Sequence, residues 1–232
     1  MGQKVGAQNE SQSELKIAWE KERQVIKDDL GKCPDIGSIS RSVEKRNNRL
    51  DVTFDAVQRH VGEKLDCKKF CDYCCYFKKE VTAPEVFAIV EYLKDATKIK
   101  TKKRVLQAGR IASNKIKRLS TAERMDSNIA CALLTEGTCS VYDVRPAVCR
   151  KVHSRDSGSC KSSFDRPGDS TIASKENKFI NSVLSTMVAA GHEGLRDYNL
   201  DTTYYDLNVA LPLALTDNRH FRDWIKGKKP FT

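Results

Sequence analysis

The sequence contains no long hydrophobic run and no secretory signal. The longest apolar stretch covers residues 209–215 and is interrupted by Pro212, whereas a membrane-spanning helix needs about 20 apolar residues. Residues 1–9 are polar and lack the apolar segment on which a signal peptide depends. These absences argue against membrane insertion and secretion, so we expect a cytoplasmic protein whose thiols stay reduced.

The composition also argues against a disordered chain. Charged residues make up 31% of the 232 residues and hydrophobic residues 39%, with a mean hydropathy of −0.55. Despite this polarity, apolar residues recur at helical spacing, which disordered segments do not show. The length suits one domain, or one domain with an added helical arm.

The residue pattern predicts a mainly α protein. We find no internal repeat and no alternation of strands and helices of the kind that builds a parallel sheet. The expected division is a disordered tail at 1–10, an N-terminal helical arm at 11–65, a cysteine-cluster metal-binding core at 66–165, and a C-terminal helical segment packing on that core at 166–232. The core is expected to be irregular and to contain a short β-hairpin.

Helix boundaries are predicted from capping patterns and helix-breaking residues. A capping box predicts that the first helix begins near Ser11, and an apolar stripe predicts a second, antiparallel helix over about 40–65. A helix over 174–190 is expected to stop at Gly191, because glycine commonly terminates helices. One or two short helices are expected within 207–224.

Shorter elements are expected around the cysteines. Thr82 begins a helix through another capping box, Gly137 allows the tight turn of a hairpin, and Asp143 caps a short helix that carries Cys149. Residues 154–173 are expected to form a loop, since they are rich in serine, aspartate and glycine.

Cysteine is abundant and clustered. Eight of the nine cysteines fall within residues 67–160, whereas Cys33 lies outside both cysteine blocks and is predicted not to bind metal. In a reducing compartment such clusters indicate metal binding more often than disulfides, and buried thiols without a metal are the remaining alternative. The predicted metal ligands are Cys67, Cys71, Cys74, Cys75, Cys131, Cys139, Cys149 and Cys160.

The ligand type restricts the metal. Thiolates suit zinc and iron–sulfur clusters, and both are commonly held by four cysteines. Eight cysteines therefore provide two four-thiolate sites, or one site with spare ligands. Adjacent side chains diverge, so Cys74 and Cys75 serve either two nearby centres or one centre beside a free thiol. The predicted cofactor is zinc or an iron–sulfur cluster of the 4Fe–4S type.

The first cysteine block also has the spacing of the radical-SAM cluster motif. Cys67-x3-Cys71-x2-Cys74 matches it, and Tyr73 supplies the aromatic residue before the last cysteine. Enzymes of that superfamily carry the motif in a βα barrel, whose strand–helix repeats are missing from this sequence. We therefore do not expect that fold.

A second resemblance covers about residues 65–160 and includes both cysteine blocks. The first block is Cys67-x3-Cys71-x2-Cys74-Cys75, and the second is Cys131-x-Leu133-Leu134-x2-Gly137-x-Cys139-Ser140-Val141-Tyr142-x2-Arg145-Pro146-x2-Cys149-Arg150. Their order resembles the YkgJ-type cysteine-cluster family, whose members carry a zinc- or iron-chelating domain with a CxxxCxxCC motif. Ala132 departs from the family pattern, which usually has proline after that cysteine.

This resemblance implies a bound metal or iron–sulfur centre, but it implies no settled reaction. Flagellin lysine-N-methylases are similar in the cysteine region and are the nearest link to an enzymatic activity. The alternative function is therefore an iron–sulfur redox enzyme or a SAM-dependent methyltransferase. Such an enzyme predicts an open coordination position, or a pocket lined by Tyr73, Tyr142, His153 or Arg145.

Three side chains near Cys149 are candidates for supporting roles. His153 is either a metal ligand or, as we favour, a histidine outside the coordination shell. Arg145 and Arg150 flank Cys149, so their guanidinium groups are expected to neutralise thiolate charge or to orient backbone carbonyls. The alternative is that both are ordinary surface arginines.

Much of the net charge of +10 lies between Lys94 and Arg124. In this stretch eleven basic residues face two acidic ones, and a helix is predicted over about 102–119. Such a surface attracts an acidic partner or nucleic acid, as in a nucleic-acid-binding module with structural zinc. A solvated helix face without a partner is the alternative. Aromatic residues are not interleaved, so base stacking is not indicated.

Overall fold

The computed structural model describes residues 2–31, 34–68 and 70–231, with the backbone alone for 2–15. The predicted mainly α class is confirmed. Cys33 lies outside the described residues. The helices are α1 (Gly2–Leu30), α2 (Ile36–Val61), α3 (Ala83–Tyr92), α4 (Ile99–Ile116), α5 (Thr121–Met125), α6 (Ala147–Lys151), α7 (Ser157–Asp165), α8 (Lys178–Arg196), α9 (Leu207–Thr216) and α10 (Arg219–Trp224).

Four two-residue strands form two small antiparallel sheets. Strands β2 (Leu134–Thr135) and β3 (Thr138–Cys139) make the predicted hairpin, in which Leu134 pairs with Cys139. Gly137 has a φ of 72°, as the tight turn requires. Strands β1 (Glu80–Val81) and β4 (Tyr205–Asp206) pair across the chain. That second sheet was not predicted, because two residues are too few to give a strand pattern.

Helices α1 and α2 form the expected antiparallel pair. Arg49 contacts Glu22, whereas Lys45, one turn earlier on α2, contacts Asp29 further along α1. These two ion pairs run in opposite order along the two helices. The paired helices pack against α8 and α3, and they place α2 beside α6.

Two predicted starts differ from the structure. Helix α1 begins at Gly2 and not near Ser11, because the preceding residues are mostly good helix formers and contain no proline. Helix α2 begins at Ile36, ahead of the predicted 40–65, through a capping box in which the Ser38 amide donates to Asp35 Oδ1 at 2.6 Å.

The predicted end of α8 is also wrong. The helix continues through Gly191 to Arg196. A Cβ atom placed on Gly194 meets Ile26 Cβ at 2.9 Å, so glycine here permits α1 to approach closely. Gly194 thus serves packing, and neither Gly191 nor Gly194 ends the helix.

Two predictions near the cysteines need correction. Residues 157–165, expected within a loop, form α7, which carries Cys160 and buries none of its residues. Without an apolar stripe, the helix left no periodic signal. Asp143 lies in a 3₁₀ turn and does not cap α6, whose N-cap is Pro146.

The largest core cluster lies between α3, α4, α9 and α10. Phe87 and Trp224 are fully buried in it, with their ring centroids 5.7 Å apart. Pro212 of α9 lies 3.2 Å from the Cβ position of Gly109 on α4, so these two helices pack closely. The C-terminal helices are as predicted. Among the described helices, none has both the length and the apolar character needed to cross a membrane.

Candidate metal centre

The backbone joins the two cysteine blocks directly. The Cys131 amide donates to the Cys75 carbonyl at 2.8 Å, and the Ile129 amide donates to the Tyr76 carbonyl at 3.0 Å. Cys75 and Tyr76 belong to a 3₁₀ turn that ends the first block. The blocks therefore lie side by side, although 55 residues separate Cys75 from Cys131.

The segment that carries Cys160 is tied to the start of the first block. The Ser154 amide donates to Cys67 Sγ at 3.2 Å, and the Asp66 amide donates to the Ser154 carbonyl at 2.9 Å. Asp66 Oδ2 in turn accepts from the amide of Ser157, the first residue of α7, at 3.1 Å. Three separate stretches of chain thus meet around the cysteines.

Four of the cysteines form what we call the outer set: Cys67, Cys71, Cys74 and Cys160. Burial raises the pKa of Cys67, and the neighbouring thiolates of Cys71, Cys160 and Cys74 raise it further. Burial likewise raises the pKa of Cys71, followed by the thiolates of Cys74 and Cys160. These influences place Cys71, Cys74 and Cys160 within electrostatic range of Cys67.

The other four form the inner set: Cys75, Cys131, Cys139 and Cys149. Burial raises the pKa of Cys131 to about 12, with a further contribution from Cys139. Burial also raises the pKa of Cys149 to about 12, and the thiolates of Cys131, Cys74 and Cys139 act in the same direction. The pKa of Cys75 is raised by its hydrogen bond with Cys74, by burial, and by Cys131 and Cys149.

Cys74 and Cys75 connect the two sets. A hydrogen bond from Cys75 lowers the pKa of Cys74 to about 6, and Lys79 adds to the effect against the opposing burial. The same hydrogen bond raises the pKa of Cys75, so Cys74 is the member of the pair that loses its proton first. Cys74 raises the pKa of Cys67 and Cys71 in the outer set and also that of Cys149, whereas Cys131 and Cys149 of the inner set raise the pKa of Cys75.

Three cysteine sulfur atoms also accept a hydrogen bond from the backbone amide of the residue two positions later in the sequence. Such bonds lower the pKa of the thiol, and in metal centres they stabilise thiolate ligands and tune cluster potentials. The pairs are Cys71 with Tyr73, Cys131 with Leu133, and Cys139 with Val141.

Lys79 supplies a buried positive charge beside the cysteines. Lys79 is only 7% exposed, and its positive charge lowers the pKa of Cys74, Cys131 and Cys149. Within the described residues its ammonium group has no ion pair or hydrogen bond. Sequence reasoning missed Lys79, since the motif gives no signal for it.

Glu85 fixes the helix that carries Cys149. Its Oε1 accepts from the amide of Ala147, the first residue of α6, at 2.8 Å and from Arg46 Nη2 at 2.9 Å. Its Oε2 accepts from the Thr82 amide at 2.9 Å, which completes the predicted capping box. Glu85 therefore supplies to α6 the acceptor that Asp143 was expected to provide. The capping box was a signal for Glu85, but only for its local role.

Of the roles predicted for the two arginines that flank Cys149, Arg150 has that of orienting backbone carbonyls. Arg150 donates to the carbonyls of Arg145 at 3.0 Å and Asp143 at 2.5 Å, and it forms an ion pair with Asp51. It thus orients the backbone that leads into α6. Arg145 lies over the ring of Tyr142, 3.9 Å from its centroid, and that tyrosine is 60% exposed.

His153 has both ring nitrogens engaged. Its Nδ1 lies 2.8 Å from the Lys151 carbonyl, to which it donates, and its Nε2 accepts from the Asn177 amide at 2.9 Å. The ring is buried and packs edge-on against Phe54. Neither nitrogen is free for a metal, so His153 supports the structure beyond Cys149, as we favoured.

The chemistry of the donor set fits zinc or iron–sulfur ligation, because all eight clustered cysteines are free thiols. Across the described ranges, however, no group of three or more cysteine, histidine, aspartate or glutamate side chains is arranged to hold an ion as it stands. The assignment of the eight as ligands stays a prediction.

Comparison with known proteins agrees with this description. Residues 66–177 match the family model CxxCxxCC, described as a "putative zinc- or iron-chelating domain". The match includes all eight clustered cysteines and confirms the cysteine-cluster resemblance predicted from the two blocks. No curated protein matches the chain. No solved structure matches it either.

Proposed function

We propose that the segment 66–177, which matches the family of zinc- or iron-chelating domains, binds metal in two adjacent four-thiolate centres. The outer set provides one centre and the inner set the other. Zinc or a 4Fe–4S cluster is the expected occupant, since four thiolates suit both. The protein is a metal-binding module, and its surrounding helices hold the three cysteine-bearing stretches together.

A single observation carries this proposal. The 2.8 Å hydrogen bond between the Cys131 amide and the Cys75 carbonyl brings the two cysteine blocks into register. Without it, four thiolates from distant stretches of chain would not meet in the inner set. The division of the sulfur atoms into two groups, with Cys74 and Cys75 on the boundary, supports two centres over one.

Binding requires the sulfur atoms of each set to approach one another. Metal ligation deprotonates the thiols and supplies folding free energy, so the cysteine region is expected to contract as the centre forms. Amide donors from Tyr73, Leu133 and Val141 are already directed at three of the sulfur atoms. These bonds stabilise the thiolate form that a metal requires.

The test is metal analysis of protein purified without oxygen, combined with a visible spectrum. We expect stoichiometric zinc in a colourless protein or iron with sulfide in a brown one. Cys131→Ser should lower the metal content, whereas Cys33→Ser, outside the matched segment, is the control that should retain it. Equal metal content in both variants contradicts the ligand assignment.

The enzymatic alternative has less support. It predicts a pocket lined by Tyr73, Tyr142, His153 or Arg145, but both nitrogens of His153 are engaged in backbone hydrogen bonds. Tyr142 and Arg145 stack on each other at an exposed position. We therefore propose a structural or metal-handling role, with iron–sulfur redox or methyl-transfer chemistry as the alternative.

The basic stretch supports a second, separate role as a docking surface for an acidic protein segment. Within the described residues, four of its eleven bases are engaged: Lys94 and Lys98 with acids on their own turn, Arg104 with carbonyls, and Arg124 with Asp206. The other seven have no ion pair or side-chain hydrogen bond there. They are Lys100, Lys102, Lys103, Arg110, Lys115, Lys117 and Arg118.

A shallow cavity on α4 defines the chemistry of this partner. It has a volume of about 300 Å³, and Leu106 and Ile111 line it beside the cations Lys103 and Arg110. An apolar floor with a basic rim fits acidic peptide that also carries apolar side chains. Nucleic acid fits less well, because no aromatic residue lies between residues 93 and 141 for base stacking.

The docking role is tested with two fluorescent probes of equal length. An acidic peptide containing leucines should bind in a salt-dependent manner, and Ile111→Asp should abolish that binding. A single-stranded oligonucleotide is the comparison. If it binds more tightly than the peptide and Ile111→Asp leaves peptide binding unchanged, the surface is a nucleic-acid site instead.

The eight free thiols further support a location in a reducing compartment such as the cytoplasm.

A further inference from the structure

The two cysteine sets lie in different surroundings. In the outer set Cys67 is exposed, as are its neighbour Lys68 and the nearby Phe70, which is 66% exposed. Cys160 sits on α7, a helix in which no residue is buried. This helix is held to the first block at both ends: the Ser157 amide donates to Asp66 Oδ2 at 3.1 Å, and the ring of Phe164 lies 4.8 Å from that of Tyr76.

Two cysteines of the inner set, Cys131 and Cys139, pack against the main core cluster. Three inner cysteines belong to the second block, and each has a buried residue within two positions of it in the sequence. These side chains are Ala132 and Leu133 for Cys131, Val141 for Cys139, and Ala147 and Arg150 for Cys149.

Helix α9 also fixes the backbone on both sides of Cys131. The Asn208 side chain accepts from the Ala132 amide at 2.8 Å and donates to the Ala130 carbonyl at 3.2 Å. Asn208 is itself buried. A ligand clamped in this way cannot leave a metal without disturbing the contact between the cysteine region and α9.

The two sets also differ in the charged residues near them. Cations lie beside the inner set: the charge of buried Lys79 lowers the pKa of Cys131 and Cys149, and also that of Cys74 in the outer set. Arg104 donates to the Leu134 carbonyl of β2 at 3.0 Å and to Ser140 Oγ, directly after β3, at 2.9 Å. Four thiolates around one zinc ion carry a charge of about −2, which nearby cations stabilise. The outer set instead has Asp72 beside Cys71, which adds negative charge.

We infer that the two centres are inequivalent: the inner set retains its metal permanently, whereas the outer set exchanges metal with an incoming thiolate or chelating ligand. This inference rests on the proposed function. In such an exchange Cys67 or Cys160 would be the ligand that gives way to a donor atom of the incoming group. The freed thiolate takes a proton from solvent, and no electron is transferred.

The outer set is suited to this step by exposure and by its supporting helix. Because none of the residues of α7 is buried, moving Cys160 away disturbs only partly exposed contacts of this helix, such as that of Phe164 with Tyr76. Cys67 is held by one amide hydrogen bond from Ser154. The molecule therefore combines a permanent centre with an exchangeable one, which is the arrangement expected of a protein that receives or delivers a metal ion.

The experiment measures zinc release from the zinc-reconstituted full chain to the colorimetric chelator 4-(2-pyridylazo)resorcinol. We expect two zinc ions per chain and two resolved kinetic phases of equal amplitude. Cys160→Ser should remove the fast phase and leave the slow one. Lys79→Met should accelerate the slow phase by roughly tenfold, as for the loss of other groups that support metal ligands. Lys94→Met, a change at an exposed lysine, is the control and should alter neither phase.

Alkylation of the unmodified zinc-loaded chain provides a readout that does not depend on any variant folding. With iodoacetamide and peptide mapping, Cys67, Cys71 and Cys160 should be modified at the rate of the fast phase while the inner cysteines remain protected. Two zinc ions released in one phase, or inner cysteines modified first, would overturn the inequivalence alone. A wild-type chain that binds no zinc or iron would overturn the proposed function with it.

Discussion

Arg46 and Glu85 form a buried ion pair that links the helical arm to the metal-binding region. Arg46 Nη2 lies 2.9 Å from Glu85 Oε1, and the two side chains are 3% and 5% exposed. The same carboxylate oxygen accepts from the first amide of α6. Helices α2, α3 and α6 thus meet at one carboxylate.

Glu85→Gln should destabilise the protein strongly. The substitution leaves the Arg46 cation buried without its counter-ion, a situation that costs about 3–5 kcal/mol. Urea denaturation at pH 7 measures the change. Glu91→Gln, on the same helix but in the exposed pair with Lys94, is the control and should cost less than about 1 kcal/mol. Similar midpoints for the two variants would argue against the role given to Glu85.

Stability should fall in acid because of His192. Burial, followed by the positive charge of Arg46, lowers the pKa of His192 from 6.5 to about 4. The unfolded chain therefore takes up this proton first, so the contribution is complete above about pH 6.5 and is lost as the pH falls towards 4. The full contribution of His192 to the free energy of unfolding is on the order of 3 kcal/mol.

The check compares metal-free wild type with His192→Gln by urea denaturation between pH 7 and pH 4. Removing metal first keeps proton competition at the cysteines out of the comparison. The variant should lose less stability than the wild type over this interval. Parallel curves for the two proteins would show that another group governs the acid sensitivity.

Gly194→Ala should destabilise the contact between α1 and α8. Its new methyl group meets Ile26 Cβ at 2.9 Å, and overpacking of this kind typically costs about 1–3 kcal/mol. Gly191→Ala is the matched control, since its nearest neighbour is Arg46 Cδ at 3.5 Å. That control should be neutral or stabilising by up to about 1 kcal/mol from helix propensity. Thermal unfolding should separate the two variants, and a stabilised Gly194→Ala protein would contradict the packing described.

Metal removal should loosen residues 66–177 before the helical arm. Structural metal sites contribute folding free energy directly, whereas α1, α2 and α8 are held by ion pairs and apolar contacts of their own. Hydrogen exchange with and without a chelator should show lost protection confined to the cysteine region. Uniform loss across the chain would indicate a single cooperative unit, and no change would indicate that no metal was bound.

Helix content was predictable from local pattern, but helix ends were not. Apolar spacing located α2 and α8, yet Gly191 was expected to stop a helix that continues to Arg196. Local propensity cannot reveal that α1 packs against these glycines, because the contact joins residues far apart in the chain. Helix α7 was missed for the opposite reason, since it buries none of its own residues and has no apolar period.

The cysteines of the candidate site could be located from the sequence, whereas their surroundings were only partly predictable. Motif spacing identified the two cysteine blocks, and the adjacent Cys74 and Cys75 suggested two centres. Lys79 and Asn208 could not be anticipated, because each reaches the cysteines only through the pairing of β1 with β4 and the start of α9 that follows it. The capping role of Glu85 was local and visible, whereas its hold on α6 depends on tertiary packing.

The backbone hydrogen bond between Cys75 and Cys131 also closes a loop in the chain. The 55 intervening residues leave the first block and return to its edge, so an ion bound by both blocks acts as a cross-link that closes the same loop. A covalent link closing a loop of this length stabilises a fold by about 4 kcal/mol, chiefly by restricting the unfolded chain. Part of what the metal contributes is therefore topological, and it should persist even when the ion is exchanged for another with weaker bonds to sulfur.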